Sequence, residues 1–165
     1  MSAEQDVEPT RWLSSEEQHS WRALLIGTTL LMDQLDEELR TTFSLSLTEY
    51  EILVRLSERE GHALRMALLA DSLRHSRSRV THTVARMEKA GLVRRATSAE
   101  DGRGVVCSMT PEGYALLRRA AHVHVGGVRS HLVDRVDPAD FAAVGRVMDA
   151  VADALIGARP ELDIR

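Results

Sequence analysis

The apolar residues of this chain recur with a helical period up to about residue 90 and again after residue 110, but not in between. Residues 92–95 and 105–109 are short β-prone runs on either side of a polar, glycine-containing segment, residues 97–104. Leu, Ala, Arg and Glu, which favour helices, are abundant elsewhere. The sequence therefore predicts a mainly α-helical fold with one small β-hairpin, in the order helix-helix-helix-helix-strand-strand-helix-helix.

The first helix and the last two carry long apolar stripes. Ser14 and Glu17 have the spacing of a capping box and begin a helix that is expected to reach residue 42. Its stripe comprises Trp21, Leu24, Thr28, Leu31, Leu35 and Leu39. Helices also begin at Thr110-Pro111 and at Asp137-Pro138, and the former is expected to end near residue 133. Because these stripes exceed what one small domain can bury, they predict a homodimer, with a larger monomeric core as the alternative.

The middle of the chain predicts three short helices. Thr48 and Glu51 form a second capping-box pattern, at the start of a helix that ends near residue 58. Residues 65–73 have helical spacing, and Ser76 can N-cap a further helix that runs to residue 90. Gly91 then ends that helix as a left-handed residue.

Charge is distributed very unevenly. The segment from Arg74 to Arg95 holds seven cations and one anion, Glu88, which gives a local balance of +6. The whole chain has 21 Lys and Arg against 25 Asp and Glu, so the remainder has a balance of −10. A cationic footprint on an otherwise acidic chain suggests a polyanionic partner, most often double-stranded DNA, and the alternative is a solvated basic face.

The helix after Ser76 is predicted to have one buried and one outward face. Val80, Val84 and Met87 lie on one side of a helical wheel. The opposite face carries small, hydrogen-bonding and cationic residues: Ser78, His82, Ala85, Arg86 and Lys89, flanked by Arg79 and Thr81. Such a face suits a helix in a major groove, and the N-terminal residues 76–78 can meet phosphate. On the following hairpin, Arg103 can enter a minor groove, with Asp101 holding its guanidinium.

These residues resemble the winged helix-turn-helix of the MarR family of transcription regulators. The similarity includes Leu69-Ala70, Val80-Thr81, Arg86-Met87-Glu88 and Gly91-Leu92-Val93. Asp101-Gly102-Arg103, followed after five residues by Met109-Thr110 and then by Gly113, is similar to the wing signature of that family, with Met109 where Leu is usual. The resemblance spans roughly residues 16–157.

The resemblance implies a homodimer that binds pseudo-palindromic DNA, usually as a repressor, and that releases it when a small, often phenolic, effector binds. It places residues 76–86 in the major groove and Arg103 in the minor groove. The expected DNA-binding residues are Ser76, Arg77, Ser78, Arg79, Thr81, His82, Arg86, Lys89, Arg95, Asp101 and Arg103. A winged helix that binds another protein and not DNA is the rival function.

The helical pattern and the resemblance together divide the chain into segments. Residues 1–13 are expected to be a flexible tail, and residues 158–165 a second one. Residues 48–110 form the expected winged helix-turn-helix lobe within a single domain, residues 14–157. Residues 14–43 and 111–157 are then the dimerisation helices.

The resemblance also implies an effector pocket between those helices and the lobe. Trp12, Trp21 and Tyr50 are candidate wall residues, although aromatic residues at helical spacing are more often core. Cys107, the single cysteine, excludes an intrachain disulfide. It is expected to act as a small buried hydrophobic residue and not as an oxidant sensor, since the peroxide-sensing members of the family carry their cysteine near the N-terminus.

Metal sites, catalytic sites, cofactors and membrane segments are not expected in this protein. His124 and His131 share a helix face, but His122 points elsewhere, so no metal site is predicted. No nucleophile-base pair or phosphate-binding glycine loop is apparent, which predicts a protein that is not an enzyme and needs no cofactor. The sequence has neither a signal-peptide layout nor an apolar run long enough for a bilayer, so a cytoplasmic protein without membrane contact is expected.

Overall fold

The computed structural model describes residues 10–98, 102 and 104–157. The described helices and strands are α1 (Ser15–Phe43), α2 (Leu47–Ser57), β1 (Ala63–Arg65), α3 (Met66–Ser72), α4 (Arg77–Lys89), β2 (Val93–Thr97), β3 (Val105–Met109), α5 (Pro111–His131) and α6 (Pro138–Ile156). Two single 3₁₀ turns, Glu60–His62 and Val133–Arg135, precede β1 and α6. The fold is thus mainly helical with a small antiparallel sheet, as predicted.

The predicted start of α1 is confirmed, whereas that of α2 is wrong. The Ser14 hydroxyl accepts the Glu17 N–H while the Glu17 carboxylate accepts the Ser14 N–H. The second capping box is formed by Ser46 and Glu49, two residues before the predicted pair. The earlier start is favoured by a tertiary contact, since the Leu47 N–H donates to Asp36 Oδ1 on α1 at 2.7 Å. Both pairs have the same sequence spacing, so the spacing alone does not distinguish them.

The sheet has one strand more than predicted. β1 pairs with β3, which also pairs with β2, so that β3 is the central strand. Arg65, predicted to begin a helix, is therefore the last residue of a strand, and Leu73 is the C-cap of α3. A strand of three residues is too short to show an alternating pattern, and its partner lies more than 40 residues away in the sequence.

The turns that orient α4 and α5 follow the predicted chemistry. Ser76 caps α4 by accepting the Arg79 N–H, and Gly91 has a φ of +76° just after that helix. Thr110 caps α5 by accepting the Gly113 N–H, while its own hydroxyl donates to the Gly91 carbonyl at 2.7 Å. The end of α4 and the start of α5 are therefore fixed to each other at the base of the hairpin.

The buried core lies where α2, α3, α4 and the sheet meet the second half of α1 and the first half of α5. Its buried members are Leu39, Leu45, Tyr50, Ile52, Leu53, Leu56, Leu69, Ala70, Val80, Val84, Met87, Val93, Cys107, Leu117 and Ala120. α6 has no buried residue, and the first half of α1 has none either. In the described part of the chain, no helix combines the length and the apolar character needed to cross a membrane.

Candidate nucleic-acid interface

α4 has the two faces that the sequence predicts. Val80, Val84 and Met87 are at most 1% exposed and pack into the core. The predicted outward residues Ser78, Thr81, His82, Arg86 and Lys89 are exposed, and Ala85 is half-buried. Thr83, which the sequence analysis did not single out, is buried and donates its hydroxyl hydrogen to the Arg79 carbonyl at 3.0 Å. The outward face therefore has only polar, cationic or small side chains.

The N-terminus of α4 is also open to a ligand. Ser76, Arg77, Ser78 and Arg79 are all exposed. The first turn of this helix contains no acidic residue, so the positive end of the helix dipole is not neutralised from within the helix. Exposed N–H groups, hydroxyl groups and two guanidinium groups are together suited to contacts with phosphate and with base edges.

Arg86, at the other end of the outward face, is held by a carboxylate from α2. Its Nη2 donates to Glu49 Oε1 at 3.2 Å, while Glu49 Oε2 accepts the N–H and the hydroxyl of Ser46. One carboxylate thus caps α2 and orients an arginine of α4. The Arg86 side chain is still 64% exposed, so this ion pair leaves most of its guanidinium at the surface.

Arg95 is placed differently from the other predicted contacts. Its Nε and Nη2 donate to Glu88 Oε2 at 3.0 and 2.7 Å, and its N–H donates to Glu88 Oε1 at 2.7 Å. These hydrogen bonds from Arg95 lower the pKa of the Glu88 carboxyl group. The pair connects α4 to β2, so the structure gives Arg95 a bracing contact between the outward helix and the hairpin. Sequence reasoning listed both residues but had no signal that joins them.

The tip of the hairpin is only partly described. Asp101 and Arg103 lie outside the described residues, so their predicted roles stay predictions. The base of the loop is closed by a hydrogen bond of 2.7 Å from the Ser98 N–H to the Gly104 carbonyl, and Gly102 has a φ of +62°. The left-handed backbone at Gly102 explains why a glycine suits this turn.

A mostly apolar cavity of about 370 Å³ lies between α1, α2 and α5. Leu35, Val54 and Val128 are among its apolar lining residues. Its polar lining residues are Tyr50, Glu51, Arg55 and His124. The Tyr50 and His124 rings lie 4.6 Å apart, and burial lowers the pKa of His124 and raises that of Tyr50. Tyr50 is thus in a cavity wall, as the sequence analysis considered.

The other two aromatic candidates are elsewhere. Trp12 and Trp21 do not line this cavity, and these residues are 83% and 52% exposed. They lie at or before the start of α1, where that helix extends beyond the core. The stripe pattern that led to Trp21 shows which face of the helix it occupies, but not whether another part of the same chain covers it.

The histidines of α5 do not gather at one point. His131 Nε2 lies 2.6 Å from Glu38 Oε1, His124 contacts Tyr50, and His122 is exposed. Among the described residues, no group of three or more His, Cys, Asp and Glu side chains is arranged to hold a metal ion. Cys107 is buried in β3, and burial raises the pKa of its thiol to about 12.

Comparison with known proteins agrees with this geometry. A sequence model described as MarR family matches residues 43–104. The HTH-type transcriptional regulator PecS of Dickeya dadantii is 32% identical over 114 residues, which are 66% of this chain and 69% of PecS.

Two crystal structures from Streptomyces coelicolor are similar over most of the fold. Sco3205, a MarR family transcriptional regulator in complex with DNA, has 40% identity and a TM-score of 0.86, and the alignment covers 92% of this chain and 95% of that chain. AbsC, a MarR family transcriptional regulator, has 40% identity and a TM-score of 0.84, with 90% of this chain and 99% of that chain covered.

Proposed function

Because the chain belongs to the MarR family, we propose that it is a transcriptional regulator that binds double-stranded DNA in a sequence-specific way. The observation that carries this proposal is the outward face of α4, which exposes hydroxyl, imidazole and guanidinium groups and no large apolar side chain. α4 lies in the major groove, with the hairpin beside it as a wing. The DNA complex of the similar Sco3205 supports this assignment.

The side chains divide into two roles. Ser78 and His82, in the first two turns of α4, read base edges. Ser76, Arg77, Arg79, Thr81, Arg86 and Lys89 contact phosphates. Arg103 enters the minor groove beside Asp101, and Arg95 acts through its pair with Glu88, which fixes the wing relative to α4.

The functional protein is a homodimer. Exposed apolar side chains are concentrated in the first half of α1 and along α6: Trp21, Leu24, Leu25, Ile26, Leu30, Phe141, Val144, Val147, Met148, Val151 and Leu155. Such a surface is unusual for a monomer and fits a self-complementary interface. Residues 14–43 and 111–157 then supply the dimer contacts and residues 48–110 the DNA-binding lobe. Two-fold symmetry sets the two α4 helices about 34 Å apart, one turn of DNA.

The regulator acts as a repressor that a small molecule relieves. The cavity between α1, α2 and α5 supports this part of the proposal, because it joins the outer helices to the lobe. Its largely apolar walls, with Tyr50, Glu51, Arg55 and His124 as polar lining residues, suit a small aromatic or phenolic molecule. We expect the protein in the cytoplasm, where it acts without a cofactor and without enzymatic activity.

The test of DNA binding is affinity for duplex DNA measured at several salt concentrations. Each phosphate contact adds about 0.9 to the slope of log affinity against log salt, so several contacts give a steep decline. Fragments selected from genomic DNA by the wild-type protein supply the specific duplex. A protein that bound no duplex, or bound it with no salt dependence, would favour the rival function, a winged helix that contacts another protein.

Single replacements separate the two roles. Arg103→Ala should weaken binding to the selected duplex and to unrelated DNA alike, because a cation in the minor groove senses groove width and electrostatic potential.

Ser78→Ala and His82→Ala should change the preferred sequence, with a loss of about 1–3 kcal/mol for each bidentate base contact removed. If repeated selection with His82→Ala returned the same sequence, His82 would not be a base contact.

The effector assignment is tested with a set of simple phenols and hydroxybenzoates. A ligand of the cavity should raise the melting temperature of the wild-type protein and release the selected duplex. Val128→Trp fills the cavity from α5 and should remove both responses while leaving DNA binding in place. A set in which no compound gives either response would contradict a phenolic effector.

A further inference from the structure

A second, polar groove of about 380 Å³ lies between the end of α1, the start of α2 and α4. Arg40 of α1, Thr48 of α2 and three residues of α4, Arg79, His82 and Arg86, contribute to its lining. In the described part of the chain, no carboxylate is among the lining side chains. With Ser46 and Thr83, which also line it, the groove presents three guanidinium groups, three hydroxyl groups and an imidazole.

Carboxylates adjoining the groove orient two of these arginines. Asp36 makes an ion pair with Arg40 one helical turn further along α1, and its other oxygen accepts the Leu47 N–H. Glu49 accepts a hydrogen bond from Arg86 and caps α2 by accepting the Ser46 N–H. Asp36 and Glu49 therefore each bind an N–H group at the start of α2 and one guanidinium group. Both arginine side chains remain more than half exposed, at 59% for Arg40 and 64% for Arg86.

The groove borders the face of α4 that points outward. Arg79, His82 and Arg86 are spaced by three and four residues, so they follow one side of the helix, and all three are exposed. A helix in a major groove has a phosphate backbone on each side. A row of guanidinium groups along one flank of such a helix is therefore placed where a backbone phosphate would lie.

We propose that this groove binds a backbone phosphate of the duplex, with Arg40 as a DNA contact outside the helix-turn-helix and with Asp36 and Glu49 as positioning residues. Guanidinium groups match the oxygen geometry of a phosphodiester, and the pairing carboxylates reduce the side-chain entropy lost on binding. The inference rests on the proposed function and adds α1 to the DNA-binding surface. A ligand in the cavity beside α1 would then act on a helix that itself contacts DNA.

The test compares Arg40→Gln with Arg129→Gln. Both variants remove an exposed arginine that pairs with an aspartate, since Arg129 donates to Asp134 at 2.6 Å, but Arg129 does not line the groove. Arg40→Gln should reduce the salt slope by about one, by the same amount on the selected duplex and on unrelated DNA. Arg129→Gln should keep the wild-type slope. Arg40→Lys should also keep it, with weaker binding, because the charge remains and the planar fork is lost.

The outcomes distinguish this inference from the proposed function. A wild-type protein with a steep salt slope that Arg40→Gln does not reduce overturns the phosphate site and leaves DNA binding intact. A wild-type protein that binds no duplex overturns the proposed function, and the phosphate site with it. If low-millimolar inorganic phosphate raises the melting temperature of the wild type but not of Arg40→Gln, while Arg40→Gln keeps the wild-type salt slope on DNA, the groove binds a free oxyanion and the duplex assignment is wrong.

Discussion

The lobe around α4 buries most of its apolar side chains, whereas the first half of α1 and the whole of α6 leave theirs largely exposed. In the lobe, α2, α3, α4 and the sheet bury their apolar side chains against one another within a single chain. α6 carries as regular a stripe but buries none of it. Helix amphipathicity therefore shows that a face will be covered, but not whether its own chain covers it. α1 contains both situations, with an exposed first half and buried residues at Leu35 and Leu39.

Replacing one leucine in each half of α1 tests this contrast most strongly. Leu39 is fully buried, so Leu39→Ala should lower the free energy of unfolding by about 2–5 kcal/mol. Leu24 lies on the same stripe but is 40% exposed, so Leu24→Ala should act mainly through dimer assembly. Urea unfolding at two protein concentrations measures both effects.

The two leucine variants should differ in their dependence on protein concentration. The loss in Leu39→Ala should persist when the protein is concentrated, whereas concentrating Leu24→Ala should recover stability by mass action. A large loss in Leu24→Ala that does not change with concentration would mean that the first half of α1 packs within its own chain.

Glycines of α5 provide the next largest contrast, because this helix joins the two regions. At Gly113 a Cβ atom would collide with the carbonyl oxygen of Leu92 and lie 3.1 Å from Met109 Cγ. Since backbone cannot move aside, Gly113→Ala should lower the free energy of unfolding by about 1–3 kcal/mol. Gly126, in the outer half, has nothing within 4 Å, and Ala there should stabilise the isolated helix by up to about 1 kcal/mol.

Thermal or urea unfolding of the two glycine variants measures this difference. Equal destabilisation by both substitutions would indicate that Gly126 is covered as closely as Gly113 is, which would extend the close packing of the lobe into the outer half of α5.

A smaller effect on stability is expected from the protonation of His124, which lies where α5 contacts α2. Burial lowers the pKa of His124 below its ordinary 6.5, so the unfolded chain binds the proton first as pH falls. Stability should therefore decrease as pH falls through 6.5 towards the folded-state pKa. Burial also lowers the pKa of His75, so protonation of His75 likewise reduces the stability of the fold as pH falls. His124→Asn should reduce this slope without removing it, as measured by urea unfolding across the pH range.

The smallest expected effect is at Cys107 in the sheet of the lobe. Because the thiol is buried and its pKa is about 12, a maleimide at pH 8 should label the native protein far more slowly than the protein in urea. Peroxide should leave DNA affinity unchanged. Rapid native labelling, or loss of DNA binding that a reductant restores, would show that the sheet opens and that Cys107 senses oxidation.

Local patterns predicted much of the lobe. The two faces of α4, its cap at Ser76 and the left-handed Gly91 each depend on residues a few positions apart, and the structure confirms all three. Contacts between distant segments were not predictable in this way. β1 needs β3 as a partner, and Arg86 needs Glu49, 37 residues earlier in the chain.

The candidate interface shows the same division. Charge and the helical wheel selected the exposed residues of α4, but they also selected Arg95, whose guanidinium the structure places on Glu88. Arg40 was not selected, because it lies at the end of a helix far from the cationic segment. A pattern of charges along the sequence does not show which opposite charges meet.

The sequence by itself determined the helical fold, the wing and the face of α4 that stays outside, because periodicity, caps and turn residues act within a few positions of each other. Only the tertiary structure decided where α2 begins, which arginines are held by carboxylates, and that α1 brings Arg40 beside α4. The physical reason is that these features depend on hydrogen bonds and ion pairs between segments, which form only once the core has packed.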